Sequence, residues 1–209
     1  MIYLLSPLKK EETISLPMIK FTLIQQALDL SKHNLLMFTS KQAVISANKL
    51  NENWKKIPCL AIGEATAKQI IVLGGKVILQ PNNFYAKDLA IDIVNKFKRK
   101  KILYLRPKKV SFDSKFFLKK QGIHIDEKII YETTCINYNG EDKPKKNAII
   151  IFTSPSTIKC FFKIFEWESS YKAVVIGEAT KVHLPDEVLD IFVAKKPLIE
   201  ECIKLAKEL

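Results

Sequence analysis

Short apolar runs alternate with amphipathic stretches along this 209-residue chain. Short apolar runs are typical of buried strands, and apolar residues spaced three or four apart are typical of helices. The predicted strands are Ile2–Leu5, Ile14–Leu23, Leu35–Phe38, Cys59–Ile62, Val77–Leu79, Ile102–Leu105, Ile129–Ile136, Ala148–Phe152, Ala173–Ile176 and Leu189–Ala194. The predicted helices are Ile24–Leu30, Lys41–Leu50, Glu64–Leu73, Ala86–Phe97, Phe112–Lys120, Ser156–Phe165, one beginning at Glu178, and Leu198–Leu209. This alternation predicts an α/β fold with parallel sheets flanked by helices.

Two motifs recur at a constant spacing. Phe38-Thr39-Ser40 is repeated at positions 152 to 154, and Ile62-Gly63-Glu64-Ala65-Thr66 is repeated at positions 176 to 180. Both pairs are 114 positions apart, so the spacing inside each copy is preserved as well. An internal repeat of this kind predicts two similar lobes.

The repeated motifs place small polar residues at turns between predicted strands and helices. Ligands of open parallel sheets bind at this carboxyl edge, where helix N-termini offer free N–H groups to anions. The candidate binding residues are Thr39, Ser40, Gly63, Thr66, Thr153, Ser154, Pro155, Ser156, Gly177 and Thr180. Serine and threonine also cap helices without binding a ligand, and this alternative stays open for each of them. Neither glycine-rich nucleotide loop is present, which argues against nucleotide binding.

The net charge of +12 favours an anionic partner but does not identify one. Only Arg99 and Arg106 are arginines, and lysines spread evenly along a chain are also typical of a solvated surface. The chain has no recognisable nucleic-acid motif and no cluster of aromatic residues for stacking on bases. A nucleic-acid binder is therefore the weakest alternative, and we expect no nucleic-acid partner.

Cysteines and histidines do not form a metal motif. Cys59, Cys135, Cys160 and Cys202 are scattered without a C-x-x-C pair, and the three histidines are isolated. We expect no metal site and four reduced cysteines that fill space. No apolar run is long enough to span a bilayer, and the N-terminus lacks a basic leader. We therefore expect a cytoplasmic protein without a membrane partner.

Tyr131 has two interpretations. It lies on a predicted strand, in Ile129-Ile130-Tyr131-Glu132-Thr133, where tyrosines usually pack half-buried. Its hydroxyl could instead donate a proton to a departing oxygen, if the strand places it at a site. The sequence alone leaves both interpretations open.

Taken in order, these motifs resemble those of the uroporphyrinogen-III synthase family. The resemblance rests on Phe38-Thr39-Ser40 with Ala43-Val44, Ile62-Gly63 with Thr66-Ala67, Leu105-Arg106 with Gly122, Tyr131 with Thr133, Phe152 to Ser156, and Ile176-Gly177 with Thr180. These elements cover nearly the whole chain. Each motif is weak by itself, because the family diverges strongly, and the ordered set is the specific feature.

The resemblance implies two α/β lobes joined by a two-stranded β-ladder that acts as a hinge. One lobe would contain residues 1–18 and 138–209, and the other residues 19–137. The ladder strands would lie near residues 17–23 and 129–137. The family's members act without a metal or an organic cofactor, and we expect a monomer.

The resemblance also implies an activity. The family's substrate is hydroxymethylbilane, a linear tetrapyrrole with eight carboxylates, which the enzyme cyclises with inversion of ring D and loss of water. Tyr131 matches the family's tyrosine and would donate a proton to the departing hydroxyl. Arg106 and the candidate binding residues named above would hold the substrate.

Three features depart from the family's pattern. The segment Leu8–Thr13 is too short for the usual crossover helix, and Pro107 stands where a glycine is common. Pro185 is expected to shorten the helix after Thr180 relative to its counterpart after Thr66. The alternative from another class is a non-catalytic, two-lobed binding protein for a small polyanion, which would bind its ligand tightly without turnover.

Overall fold

A computed structural model describes residues 1–82 and 85–209 of the chain. The strands in this part of the chain are β1 (Ile2–Leu4), β2 (Ile14–Ser15), β3 (Ile19–Leu23), β4 (Leu35–Phe38), β5 (Cys59–Ala61), β6 (Val77–Leu79), β7 (Lys101–Pro107), β8 (His124–Cys135), β9 (Ile149–Phe152), β10 (Lys172–Val175) and β11 (Ile191–Val193). The helices are α1 (Lys41–Leu50), α2 (Glu64–Val72), α3 (Ala86–Lys96), α4 (Ser114–Lys120), α5 (Pro155–Ile164), α6 (Glu178–Lys181) and α7 (Ile199–Lys207). Short 3-10 helices cover Glu52–Lys56 and Gly140–Asp142.

The chain folds into two compact lobes. Lobe 1 comprises Met1–Lys20 and Thr134–Leu209, and lobe 2 comprises Phe21–Thr133. The chain passes from one lobe to the other along β3 and again along β8, which are neighbours in one sheet. The Ile24 N–H donates to the Ile130 carbonyl, and the Ile136 N–H donates to the Met18 carbonyl. Because these two pairs run in opposite order along the strands, β3 and β8 form an antiparallel ladder.

Lobe 1 is built on a five-stranded sheet in the order β11-β10-β9-β1-β2, and its neighbouring strands run parallel. Helix α5 packs on one face through Ile158 and Phe161, and α7 packs on the other through Cys202 and Ile203. Strands covered on both faces are buried at successive positions, as in β9, and this explains why they occur as continuous apolar runs.

Lobe 2 has a six-stranded sheet in the order β3-β8-β7-β4-β5-β6, parallel from β8 to β6. Helices α1 and α2 cover one face, where Trp54 is buried in the core. Helices α3 and α4 cover the other face, where Tyr104 is buried. The predicted α/β fold of two lobes with parallel sheets flanked by helices is therefore confirmed.

The predicted helix at Ile24–Leu30 is wrong, because this segment has no helical structure. Its backbone groups form hydrogen bonds with other parts of lobe 2. The Ile24 N–H donates to the Ile130 carbonyl on β8, and the Asn51 side-chain amide donates to the Leu28 carbonyl at 3.0 Å. Leu28 and Leu30 are buried while Asp29 is exposed, which is the two-residue alternation of an extended segment. Over only seven residues, a two-residue alternation does not differ clearly from a helical period.

The single strand predicted over Ile14–Leu23 is divided into β2 and β3. Pro17 lies in the break, since proline cannot donate a ladder hydrogen bond. The Pro17 carbonyl instead accepts a hydrogen bond from the Tyr138 hydroxyl at 3.0 Å. The connection before β2 contains no helix, as the short Leu8–Thr13 segment predicted, yet β1 and β2 still pair in parallel.

The expectation of four reduced cysteines is also wrong. Cys135 and Cys160 form a disulfide within lobe 1, whereas Cys59 and Cys202 are free and buried. Cys135 ends β8 and Cys160 lies in the middle of α5, with Cα atoms 5.4 Å apart. Contact between a strand end and a helix 25 residues further along the chain is a tertiary feature, so the spacing of the cysteines does not reveal it.

The polar, proline-containing segment Glu141–Lys146 lies within lobe 1. Pro144 is buried, and its carbonyl accepts a hydrogen bond from the Tyr171 hydroxyl. Helix α6 has four residues where α2 has nine, as the position of Pro185 predicted. None of the helices in the described ranges is long and apolar enough to cross a membrane.

Candidate active site

Ser40 and Ser154 occupy equivalent turns in the two lobes. Ser40 follows β4 and accepts a hydrogen bond from the Ala43 N–H at 3.1 Å, which caps α1. Ser154 follows β9 and accepts from the Thr157 N–H at 3.3 Å, which caps α5. The repeated motif therefore forms the same strand-to-helix turn twice, with a serine oxygen at each helix N-terminus.

Gly63 and Gly177 begin the helices of the second repeated motif. Gly63 precedes α2 and Gly177 precedes α6, and neither offers a side chain to the helix N-terminus. A Cβ atom added to Gly177 would meet no atom within 4 Å. Thr66 and Thr180 occupy the first turn of each helix and are buried, each with 4% of its surface exposed.

In each lobe, one backbone hydrogen bond holds the turns of the two repeated motifs side by side. In lobe 2 the Ile62 N–H donates to the Phe38 carbonyl at 3.0 Å. In lobe 1 the Ile176 N–H donates to the Phe152 carbonyl at 3.1 Å. The motifs of each lobe thus lie together at the carboxyl edge of its sheet, where ligands of parallel α/β folds bind.

Tyr131 reaches the Ser40 turn. Its hydroxyl lies 2.8 Å from the Ser40 hydroxyl, although the residues belong to β8 and to the turn after β4. The Phe21 ring lies edge-on to the Tyr131 ring, with centroids 5.8 Å apart, and the Tyr131 side chain is buried among residues that pack against α1 and α2. Of the predicted site residues, Tyr131 and Ser40 are thereby brought into direct contact.

Thr39 is bound in the same way by a second tyrosine. The Thr39 hydroxyl lies 2.8 Å from the hydroxyl of Tyr104, which is 1% exposed in the core under α3 and α4. Sequence reasoning missed Tyr104. The available signal was its position on β7 two residues before Arg106, which puts both side chains on the same face of the sheet.

Burial affects both phenols at this edge. Loss of solvation in the core raises the pKa of Tyr104 to about 12, partly offset by its hydrogen bond to Thr39. Loss of solvation also raises the pKa of Tyr131, and its hydrogen bond to Ser40 acts in the opposite direction. Both side chains therefore stay protonated at neutral pH, and each can act as a hydrogen-bond donor.

Arg106 is engaged by groups of its own lobe. Its guanidinium donates to both carboxylate oxygens of Glu127, at 3.0 and 3.2 Å, and to the carbonyls of Pro107 and Lys108. A bidentate arginine–carboxylate pair is a strong, oriented contact. The predicted role of Arg106 in substrate binding stays a prediction, and this geometry favours a structural role for it at the end of β7.

Pro155 and Ser156 are exposed on the first turn of α5, while Thr153 and Ser154 are half-buried. Pro155 and Ser156 line a groove of about 390 Å³ in lobe 1, together with Lys159 and His183. Lys159 was not predicted as a site residue, although it stands one helical turn after Pro155 and so lies on the same helix face. The lysine adds a positive charge beside an α-helix N-terminus.

The described ranges contain no group of three or more histidine, cysteine or acidic residues able to hold a metal ion. The carboxyl edge of the lobe 2 sheet instead carries hydroxyls, helix N-termini and two protonated phenols. Such a set can bind carboxylates and donate a proton.

Comparisons with known proteins give a consistent result. The family model described as "Uroporphyrinogen-III synthase HemD" matches residues 9–204 of the chain. A crystal structure of uroporphyrinogen-III synthetase from Helicobacter pylori 26695 is 28% identical, covers 99% of this chain and 98% of its own, and has a TM-score of 0.82. No curated protein gives a significant match.

A more distant structure shows the same fold. The mutant uroporphyrinogen III synthase from the extremely thermophilic bacterium Thermus thermophilus is 12% identical, covers 99% of this chain and 97% of its own, and has a TM-score of 0.61. The family match spans both repeated motifs, Tyr131 and the Ser40 turn. On that match, which includes most of the chain, this protein belongs to the uroporphyrinogen-III synthase family.

Proposed function

We propose that this chain converts hydroxymethylbilane to uroporphyrinogen III, and that Tyr131 donates the proton with which the hydroxyl leaves as water. The family assignment supports the overall reaction. The observation that carries the role of Tyr131 is its contact with Ser40, 2.8 Å between hydroxyl oxygens at the N-terminus of α1. No observation favours the alternative of a polyanion-binding protein without turnover.

The Ser40 hydroxyl has a defined orientation in this proposal. Its oxygen already accepts the Ala43 N–H, so its own hydrogen is free to point to the Tyr131 oxygen. The Tyr131 hydrogen is then available to the substrate. As that proton leaves, the phenolate keeps the hydrogen bond from Ser40, and the partial positive charge at the N-terminus of α1 stabilises the developing negative charge.

The proton balance of the reaction closes. The carbon–oxygen bond of the hydroxymethyl group breaks, its electron pair leaves with the oxygen, and the proton from Tyr131 completes a water molecule. The substituted carbon of ring D then attacks the methylene carbon that has lost its hydroxyl, and a spiro intermediate forms. The bond between that ring carbon and the bridge to ring C breaks, the bridge carbon bonds instead to the unsubstituted carbon of ring D, and this carbon loses its proton when aromaticity is restored. That proton returns to Tyr131, so the enzyme is unchanged and one water molecule is released.

Positioning of the substrate supplies the part of the rate enhancement that proton donation does not. Spontaneous closure joins the unsubstituted carbon of ring D, so the protein must hold the bilane such that the substituted carbon is the nearer nucleophile. Orientation alone contributes several orders of magnitude in comparable reactions. For this reason we expect residual activity in every single-residue variant of the site.

The substrate's carboxylates would bind at the repeated turns. The N-termini of α1, α2 and α5 present unpaired N–H groups, and Lys159 adds a cation beside α5. In this proposal the predicted binding residues of the repeated turns contact acetate and propionate groups. The net charge of +12 attracts such a polyanion at long range.

The proposal includes a monomeric protein that acts in the cytoplasm on a small molecule and without nucleic acid. Light scattering coupled to size-exclusion chromatography tests the oligomeric state. A molar mass near 23.9 kDa is expected, and twice that value would contradict a monomer.

Replacement of Tyr131 by phenylalanine tests the proposed acid. Loss of a general acid typically lowers a rate by about 10²–10⁴-fold, and we expect a fall of about 100-fold in kcat for type III uroporphyrinogen. The substrate is generated in situ, and the isomers are separated after oxidation to uroporphyrins. Tyr138, a half-buried tyrosine of lobe 1, provides a matched control, and Tyr138→Phe should keep the wild-type kcat. A Tyr131→Phe variant with the wild-type kcat would remove Tyr131 from the mechanism.

A further inference from the structure

We infer that Tyr104 is a positioning residue for this reaction, because its buried hydroxyl holds the turn on which Ser40 meets Tyr131. This inference rests on the proposed role of Tyr131 as the proton donor. It adds a residue that neither the repeat nor the family motifs single out.

The Thr39–Ser40 turn is held from both faces of the lobe 2 sheet. Thr39 bonds to Tyr104 at 2.8 Å, on the face covered by α3 and α4. Ser40 bonds to Tyr131 at 2.8 Å, on the face covered by α1 and α2. Consecutive residues at the end of a strand point to opposite faces, so two neighbouring hydroxyls can contact two phenols that lie on opposite sides of the sheet.

Tyr104 is anchored more firmly than the turn that it contacts. Its side chain is 1% exposed and its strand β7 lies between β4 and β8, whereas Thr39 and Ser40 are half-buried and lie beyond the end of β4. A rigid group that bonds to a less buried turn restricts the turn, and not the reverse. The position of Ser40, and with it the hydrogen bond that orients Tyr131, therefore depends on Tyr104.

Burial of a phenol does not by itself give this role. Tyr171 is equally buried at 1% exposure, and its pKa is likewise raised to about 12 by loss of solvation. Its hydroxyl, however, donates to the carbonyl of Pro144 in lobe 1, on a turn that carries none of the candidate site residues. Tyr171 is therefore a matched control for the loss of a buried phenolic hydroxyl.

The test compares Tyr104→Phe, Tyr131→Phe and the double variant, with Tyr171→Phe as the control. Phenylalanine keeps the ring of Tyr104 and its packing, so only the hydrogen bond to Thr39 is lost. We expect Tyr104→Phe to lower kcat about tenfold, the effect of a displacement of less than 1 Å at the reacting groups, with KM nearly unchanged. Tyr171→Phe should keep the wild-type kcat.

The double variant separates positioning from general destabilisation. If Tyr104 acts through Tyr131, the double variant should turn over no more slowly than Tyr131→Phe alone. A merely structural role would lower kcat by the same factor in both backgrounds, and that result would overturn the inference. A wild-type kcat for Tyr104→Phe would also overturn it. A wild-type kcat for Tyr131→Phe would instead remove the proposed acid, and the positioning role with it.

Variants of Thr39, the partner of Tyr104 in this hydrogen bond, test the inference even if Tyr104→Phe folds poorly. Thr39→Val removes the hydroxyl and keeps the shape of the side chain, so it should reproduce the loss of kcat. Thr39→Ser keeps a hydroxyl and should restore most of it. If Thr39→Val has the wild-type kcat, the Tyr104–Thr39 bond has no part in positioning.

Discussion

The hydroxyl of Ser40 serves two groups, the Ala43 N–H of α1 and the phenol of Tyr131. Its counterpart Ser154 has a different set of contacts, because the Ser154 N–H donates a hydrogen bond to the Thr157 hydroxyl oxygen and closes a capping box. The same residue type at the same turn is therefore a cap in lobe 1, and in lobe 2 a cap that also contacts Tyr131, the proposed proton donor. The difference arises because β8 places the Tyr131 side chain next to the Ser40 turn.

Ser40→Ala should lose both the cap and the partner of Tyr131. We expect the free energy of unfolding to fall by about 1 kcal/mol, the usual effect of a lost N-cap, together with a clear loss of kcat. Asp113→Ala is the matched control, since Asp113 caps α4 in the same lobe through the Phe116 N–H, whereas the hydroxyls of Tyr104 and Tyr131 bond to Thr39 and Ser40. Both variants are compared by urea unfolding and in the coupled assay. Equal kcat values for the two variants would contradict a role of Ser40 beyond capping.

The raised pKa of Tyr104 predicts a loss of stability at alkaline pH. The fold favours the neutral phenol, so this contribution is complete below pH 10, the ordinary pKa of tyrosine, and is lost as the pH rises towards the folded pKa of about 12. By linkage, the loss attributable to this group is about 2 kcal/mol at pH 12. Urea unfolding between pH 9 and pH 12 gives the free energy of unfolding at each pH. This free energy should fall more steeply with pH in the wild-type protein than in Tyr104→Phe. An equal dependence on pH in the two proteins would contradict the raised pKa of Tyr104.

At the scale of secondary structure, the elements with strong local signals were predicted from the sequence. Strands covered on both faces are continuous apolar runs, and α1, α3, α5 and α7 have a clear helical period or cap. The prediction of a helix at Ile24–Leu30 is wrong because the two-residue alternation of this segment is short and its hydrogen bonds go to β8 and Asn51. A local pattern cannot show which distant backbone groups a segment will meet.

Trp54 and Gly75 illustrate how closely one element of lobe 2 is packed. A Cβ atom added to Gly75, just after α2, would lie 2.4 Å from the buried Trp54 ring and 2.8 Å from Ile70. Gly75→Ala should therefore lower the free energy of unfolding by about 1–3 kcal/mol, the range for overpacked cores. Gly140→Ala is the control, since a Cβ atom there meets nothing within 4 Å. Urea unfolding followed by tryptophan fluorescence measures both variants, and equal stabilities would contradict the close contact.

At the scale of the whole molecule, the internal repeat is the main basis for predicting two lobes. Two motifs at one spacing indicate two lobes with candidate residues at matching turns, and the structure divides into two lobes that each contain one copy of the motifs. Contacts between distant residues were not predicted: the disulfide of Cys135 with Cys160, the pairing of Arg106 with Glu127, and the bond of Tyr104 with Thr39. Each depends on which strands and helices become neighbours, and no sequence spacing encodes this.

The isomer that the wild-type protein forms is the most direct test of the account. Hydroxymethylbilane is generated in situ, the products are oxidised, and type I and type III uroporphyrins are separated by chromatography. Reactions without the protein and with heat-denatured protein set the spontaneous background of type I. The account predicts a protein-dependent excess of type III, because only an enzyme that inverts ring D yields that isomer. Type I alone, from protein shown to be folded, would contradict the account.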